Sequence, residues 1–80
     1  MPRYLLHHRH EPGECDAAYA AWLGFSSPLR HSRPVSSCLT GGHAVIWIVD
    51  AADTDGALAL LPPYVAGRTA PVEVRPVDIP

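Results

Sequence analysis

Four residues that can bind a metal ion occur in the sequence as two pairs with the same spacing. Four residues separate His10 from Cys15, and four separate Cys38 from His43. Imidazole nitrogen and cysteine thiolate are preferred ligands of zinc, nickel and copper, and two of each complete a tetrahedral site. This spacing is less diagnostic than paired Cys-x2-Cys motifs. The prediction of a transition-metal site therefore depends on a fold that brings the two pairs together.

Neighbouring residues extend the predicted site and offer a catalytic alternative. His8 precedes His10 by two residues, so in a strand it shares a face with His10 and is a further candidate ligand. His43 or His8 could also act as a general base, because the pKa of histidine lies close to neutral pH. Cys15 falls in the first turn of a predicted helix, where the helix dipole favours a nucleophilic thiolate, although two acidic neighbours oppose that effect.

A third interpretation gives these residues structural roles only. Cysteine is among the most buried residue types, so Cys38 suits a core position, whereas His7 and His10 suit solvated positions. His31, in a predicted loop, is a weaker functional candidate. Four aromatic residues belong either to the core or to the lining of an apolar ligand pocket: Tyr19, Trp22, Trp47 and Tyr64.

The apolar pattern predicts elements in the order β, α, β, β, α, β. The strands are expected at 4–10, 35–39, 43–49 and 72–77, and the helices at 14–23 and 56–61 with a further turn at 64–67. A loop at 25–33 follows the first helix, and Thr40-Gly41-Gly42 forms a hairpin turn. The strand at 72–77 must lie at an edge, because Pro76 cannot donate a backbone hydrogen bond.

These elements predict one α+β domain over residues 1–80 with the ferredoxin-like βαββαβ topology. Right-handed crossovers give an antiparallel four-stranded sheet of order 4-1-3-2 with two helices on one face. In this arrangement the ends of strands one and two share a sheet edge with the starts of the first helix and of strand three. His10, Cys15, Cys38 and His43 are therefore expected to converge at that edge.

The strand at 43–49 is apolar on both faces, which predicts that both faces are covered. Helices can cover one face only, and an 80-residue chain has a thin core. We therefore expect a second copy of the chain on the other face, in a homodimer of the dimeric α+β barrel type.

Composition excludes some partners. The net charge is −2 and the chain contains no lysine, so it lacks the basic field that nucleic-acid binding needs. The apolar run near the N-terminus is too short for a signal peptide or a membrane span, which predicts a cytoplasmic protein with free or ligating thiols. The bias toward Ala, Arg and Pro is typical of a bacterial gene of high GC content.

Both ends of the chain resemble known families. The start, Tyr4-Leu5-Leu6-His7-His8, and the end, from Tyr64 through Val72-Glu73-Val74, resemble the small nickel-binding ferredoxin-like proteins of bacteria, which carry a paired histidine on the first strand. The segment Leu60-Leu61-Pro62-Pro63-Tyr64 is similar to the muconolactone isomerase type of dimeric α+β barrel. Both resemblances imply the same fold, and the first implies metal ligation by His7 and His8. Neither covers the segment from Cys38 to His43.

Two functional hypotheses follow. The first is a homodimeric protein that binds a transition metal (nickel, zinc or copper) for storage, sensing or an accessory role. The second is a barrel enzyme, an isomerase, cyclase or cofactor-free monooxygenase, which acts on a small aromatic or polyketide-like molecule with a histidine base. The second requires a roomy pocket between helix and sheet. A third possibility is an interaction module without a reactive site, which would need neither a metal site nor such a pocket.

Overall fold

A computed structural model describes residues 1–80 as a four-stranded antiparallel sheet with short helices. The strands are β1 (Arg3–Arg9), β2 (Val35–Ser36), β3 (Ala44–Asp50) and β4 (Thr69–Val74), and the helices are α1 (Cys15–Ala20), α2 (Thr54–Leu58) and α3 (Pro63–Ala66). The strand order is β2-β3-β1-β4, with antiparallel pairing throughout. The predicted α+β class and the antiparallel four-stranded sheet are confirmed.

The core lies on one face of the sheet. Alternate residues of the central strands point into it, among them Leu6 of β1 and Trp47 of β3, which are paired across the two strands. Ala57 of α2 and Val65 of α3 are also fully buried in this core, and Trp22 after α1 packs against it. The β1 and β3 side chains follow the two-residue period that half-buried strands require.

Several observed boundaries differ from the predicted ones. β2 ends at Ser36 instead of residue 39, because the chain turns into a 3-10 helix at Cys38–Thr40 that closes on Gly41 with a positive φ of 92°. α1 is shorter than predicted, and the turns that follow it end at Gly24, which has φ 77°. β4 begins at Thr69 and ends before Pro76, and it is an edge strand, since it pairs only with β1.

The second face of the sheet is uncovered in the single chain. Leu5 of β1 lies between Ile48 of β3 and Val72 of β4, and these two neighbours are 61% and 52% exposed. The predicted cover on both faces of β3 is thus present on one face only.

Candidate metal centre

Backbone pairing between β1 and β3 places His10 beside His43. Arg9 pairs with Ala44 in the last rung of the β1/β3 ladder, and the His10 amide then donates to the His43 carbonyl at 3.1 Å. The two histidines therefore sit opposite each other where β1 ends and β3 begins. The inward face of β1 alternates through Leu6 and His8 to His10, so the His10 ring enters the buried side of this edge.

The 3-10 turn after β2 brings Cys38 to the same edge. The Ser37 amide donates to the Ala44 carbonyl at 2.9 Å, and the Ser37 hydroxyl accepts from the Ala44 amide at 3.1 Å. The Gly42 amide closes the turn by donating to the Ser37 carbonyl at 2.8 Å. These bonds fix the Cys38 backbone relative to the start of β3, and thus relative to His43.

Cys15 is the first residue of α1, and it lies at the same sheet edge. A 3-10 turn at Pro12–Glu14 leads into the helix, and proline is favoured in such a first turn. The Glu14 carboxylate accepts from the Tyr64 hydroxyl at 2.8 Å and forms an ion pair with Arg68 at 3.0 Å. Because Tyr64 belongs to α3 and Arg68 precedes β4, this contact anchors the start of α1 to the opposite end of the sequence.

The four residues form one compact cluster, in which each offers a nitrogen or sulfur atom and all four atoms lie within 4.8 Å of one another. Cys15 Sγ lies 3.2 Å from His10 Nε2 and 3.2 Å from His43 Nδ1. Cys38 Sγ lies 3.6 Å from His10 Nε2. His10 is buried, and the other three are half-buried.

These distances suit a single tetrahedral ion. Zinc bonds of about 2.3 Å to sulfur and about 2.0 Å to nitrogen hold a nitrogen ligand and a sulfur ligand about 3.5 Å apart. The observed nitrogen–sulfur distances of 3.2 and 3.6 Å lie on both sides of that value. Two thiolates and two imidazoles are also a donor set that zinc favours. The cluster is therefore compatible with a bound ion such as zinc.

His8 does not belong to the cluster, and it instead contacts the ring nitrogen of His10 that faces away from the cluster. Its Nε2 lies 2.9 Å from His10 Nδ1, whereas its Nδ1 lies 3.3 Å from both the Val65 carbonyl and the Thr69 hydroxyl. The Thr69 hydroxyl already donates to the Val65 carbonyl at 2.7 Å, so both oxygens accept from His8. His8 Nδ1 must then carry the proton, and its Nε2 accepts from His10 Nδ1–H. This chain of hydrogen bonds leaves the lone pair of His10 Nε2 free to face the cluster.

His43 adopts a backbone conformation that side chains normally avoid. Its φ is 52°, and only one other non-glycine residue of the chain, His31, has a positive φ. Such a conformation costs about 1–2 kcal/mol for a residue with a Cβ atom. Strain of this kind persists where the surroundings impose it, and it is concentrated at functional sites. In this conformation His43 Nδ1 lies 3.2 Å from Cys15 Sγ.

Burial is the main influence on the protonation of His8 and Cys15 in the metal-free protein. The pKa of His8 is lowered mainly by burial, so the ring is neutral at neutral pH. The pKa of Cys15 is raised, first by burial and then by the nearby Cys38 and Asp16. The free thiol is thus protonated at neutral pH, which disfavours Cys15 as a nucleophile. His8 is a poor general base, because its unprotonated nitrogen already accepts a hydrogen bond.

The remaining predicted residues lie outside the cluster. His7 occupies the opposite face of β1 from His8, and Tyr64 instead bonds to Glu14. Tyr19, Trp22, Trp47 and His31 line a cavity next to the cluster. The supporting contact from Thr69 was not predicted, because this residue lies three positions before the predicted start of the last strand and its residue type alone gives no signal.

Comparison of the chain with protein-family models, with curated proteins and with solved structures finds no match. None of its helices has the length and apolar character needed to cross a membrane. The fold and the site together define a small α+β protein that carries a Cys2His2-type cluster able to hold a metal ion.

Proposed function

We propose that this protein binds one transition-metal ion, with zinc as the best-fitting candidate, through His10, Cys15, Cys38 and His43. The observation that carries the proposal is the convergence of four ligand atoms within 4.8 Å from four separate parts of the chain. Nickel and copper remain candidates, because thiolate and imidazole ligands also suit them.

The donor set favours storage, sensing or an accessory role over catalysis by the metal. Catalytic zinc keeps an open position for water or substrate, whereas four protein ligands fill the tetrahedral shell. Three of the four ligands are only half-buried, so solvent and competing ligands can reach the site. A closed but accessible site suits an ion that is held and released.

Metal analysis of untagged protein tests the proposal. The protein is purified without chelators and compared with two ligand variants, Cys38→Ser and His43→Ala. We expect wild-type protein to bind one zinc or cobalt ion per chain, with the thiolate charge-transfer and ligand-field absorption bands of tetrahedral cobalt, and the variants to lose this stoichiometric binding.

A matched control is His7→Ala, since His7 lies on the other face of β1. It should bind as much metal as the wild type. Equal binding in all four proteins, or negligible binding in the wild type, would overturn the proposed function.

The cavity beside the cluster favours a second candidate function. It has a volume of about 410 Å³ between α1 and the sheet, the position where the enzyme hypothesis requires a pocket. A barrel enzyme that acts on a small aromatic or polyketide-like molecule would use this space. Turnover that survives loss of the metal would favour this candidate over a metal-storage or sensing role.

We also propose that the chain is ferredoxin-like and forms a homodimer. Read from the β4 edge, the strand order is β4-β1-β3-β2, which supports this fold and the kinship with nickel-binding ferredoxin-like proteins. The uncovered apolar face around Leu5, Ile48 and Val72 supports a second copy as its cover. Sedimentation tests this: Ile48→Lys should convert a dimer into monomers, and a monomeric wild type would contradict it.

We further propose that the protein works in a reducing compartment such as the cytoplasm. Both cysteines are free, and thiolate ligands must stay reduced to hold a metal.

A further inference from the structure

A half-open cavity of about 410 Å³ lies next to the metal centre, on the same face of the sheet. His8 and His10 line one part of it, and Trp22 and Trp47 contribute its aromatic wall. The loop that contains Leu29 and Arg30 completes the lining. Cavities of roughly 300–1,000 Å³ with mostly apolar walls are typical of small-molecule sites.

The aromatic wall suits a flat ring. The centroids of the Trp22 and Trp47 rings lie 5.8 Å apart, and the two ring planes are inclined at 45° to each other. The rings therefore form an angled surface and not a closed stack. The Trp47 indole N–H already donates to the Ser32 hydroxyl at 3.3 Å, which holds that ring against the loop. A planar aromatic ligand can bury its faces against such indoles with little loss of conformational entropy.

The charge of the lining selects an anion. Arg30 supplies a permanent positive charge, and no aspartate or glutamate lines the cavity. Each of the three ion pairs of the chain uses another arginine, so Arg30 has no carboxylate partner. A guanidinium beside an apolar wall favours a carboxylate, which it can bind through two parallel hydrogen bonds.

The loop that presents Arg30 is held in an unfavourable conformation. His31 follows Arg30 directly, has φ 71° and also lines the cavity. The Arg30 amide donates to the Ser27 carbonyl at 3.1 Å, and the Ser27 hydroxyl donates to the Leu60 carbonyl at 2.6 Å. The loop is thus tied to the body of the protein, and backbone strain at a tied loop is typical of a binding site.

We propose that this cavity binds a small aromatic carboxylate, with the ring against Trp22 and Trp47 and the carboxylate on Arg30. The proposal goes beyond metal binding and does not rest on it, because Arg30 and the two indoles are outside the cluster.

Nuclear magnetic resonance of the indole N–H groups provides a specific test. The chain has two tryptophans and both line the cavity, so both indole signals report on it. Benzoate should shift these signals saturably, and its neutral isostere benzamide should bind about tenfold more weakly, which is the effect of losing a hydrogen bond to a charged group.

The matched variants are Arg30→Gln and Arg33→Gln, since Arg33 is an exposed arginine of the same loop that does not line the cavity. Arg30→Gln should weaken benzoate binding to the level of benzamide, and Arg33→Gln should leave it unchanged. Cys38→Ser protein, which lacks the metal site, should still bind benzoate. The proposal is overturned if benzoate gives no saturable shift, if benzamide binds equally well, or if Arg30→Gln binds benzoate like the wild type.

Discussion

The ring of His8 holds the ring of His10 through one hydrogen bond, with 2.9 Å between His8 Nε2 and His10 Nδ1. Since His8 is anchored in turn by the Val65 carbonyl and the Thr69 hydroxyl, it fixes which His10 nitrogen can bind a metal. A residue that hydrogen-bonds to a metal ligand without binding the metal itself typically contributes about 10–100-fold to metal affinity. We expect His8→Leu, which fills the space but cannot accept the hydrogen bond from His10, to weaken zinc binding by about this factor in a chelator competition assay.

The conservative variant separates positioning from packing. His8→Gln keeps an acceptor and a donor, so it should recover part of the lost affinity. If His8→Leu binds zinc as tightly as the wild type, His8 does not position His10.

Zinc binding should weaken as the pH falls. Burial and the neighbouring Cys38 and Asp16 raise the pKa of Cys15, so the metal-free thiol carries a proton that the metal must displace. Acidification favours the protonated thiol and therefore the metal-free state. Calorimetry in buffers of different ionisation enthalpy should detect proton release on zinc binding near neutral pH. Binding without proton release would contradict ligation by Cys15.

The sequence was sufficient to predict the sheet and most of its elements. The bounds of β1 and β3 lie within one residue of the predicted ones. Which face of β3 is buried was not predictable, because the strand is apolar on both faces. The length of β2 was not predictable, because Val35–Leu39 has a strand-like pattern. The backbone bonds of Ser37 to Ala44 and Gly42, which depend on tertiary structure, turn this segment into a 3-10 helix at Cys38.

The ligand set was predictable only through the topology. The two equally spaced pairs became a site once the ends of β1 and β2 were placed at one edge. The role of His8 was not predictable, because a strand pattern gives its face but not the partner of each ring nitrogen. The anchoring of α1 through Glu14 depends on Arg68, which is 54 residues away in sequence.

Glu14 should make the metal-free protein sensitive to acid. Its pKa is lowered to about 2, first by the Glu11 backbone amide and then by the Tyr64 hydroxyl. A lowered pKa in the folded state means that its stabilisation is complete above the ordinary value of 4.5 and disappears as the pH falls toward about 2. We expect Glu14→Gln to lower the urea midpoint at neutral pH, and the difference from the wild type to vanish near pH 2. Glu73→Gln is the control, since it removes an exposed carboxylate of β4 whose ion pair with Arg75 is long, at 3.7 Å, and it should change the urea midpoint at neutral pH much less.

Gly42 lies between the Cys38 turn and His43, at a position that leaves no room for a side chain. A Cβ atom at this position would overlap the Ser37 side chain, whose Cβ would be 2.7 Å away, and Ser37 holds the turn through its bonds to Ala44. We expect Gly42→Ala to destabilise the protein by about 1–3 kcal/mol, as overpacking does, and to weaken zinc binding because Cys38 and His43 move apart. Gly13→Ala is the matched control, since a Cβ there meets nothing within 4 Å. Urea unfolding and zinc competition measure the two effects. Wild-type values of both in Gly42→Ala would show that this turn does not set the distance between Cys38 and His43.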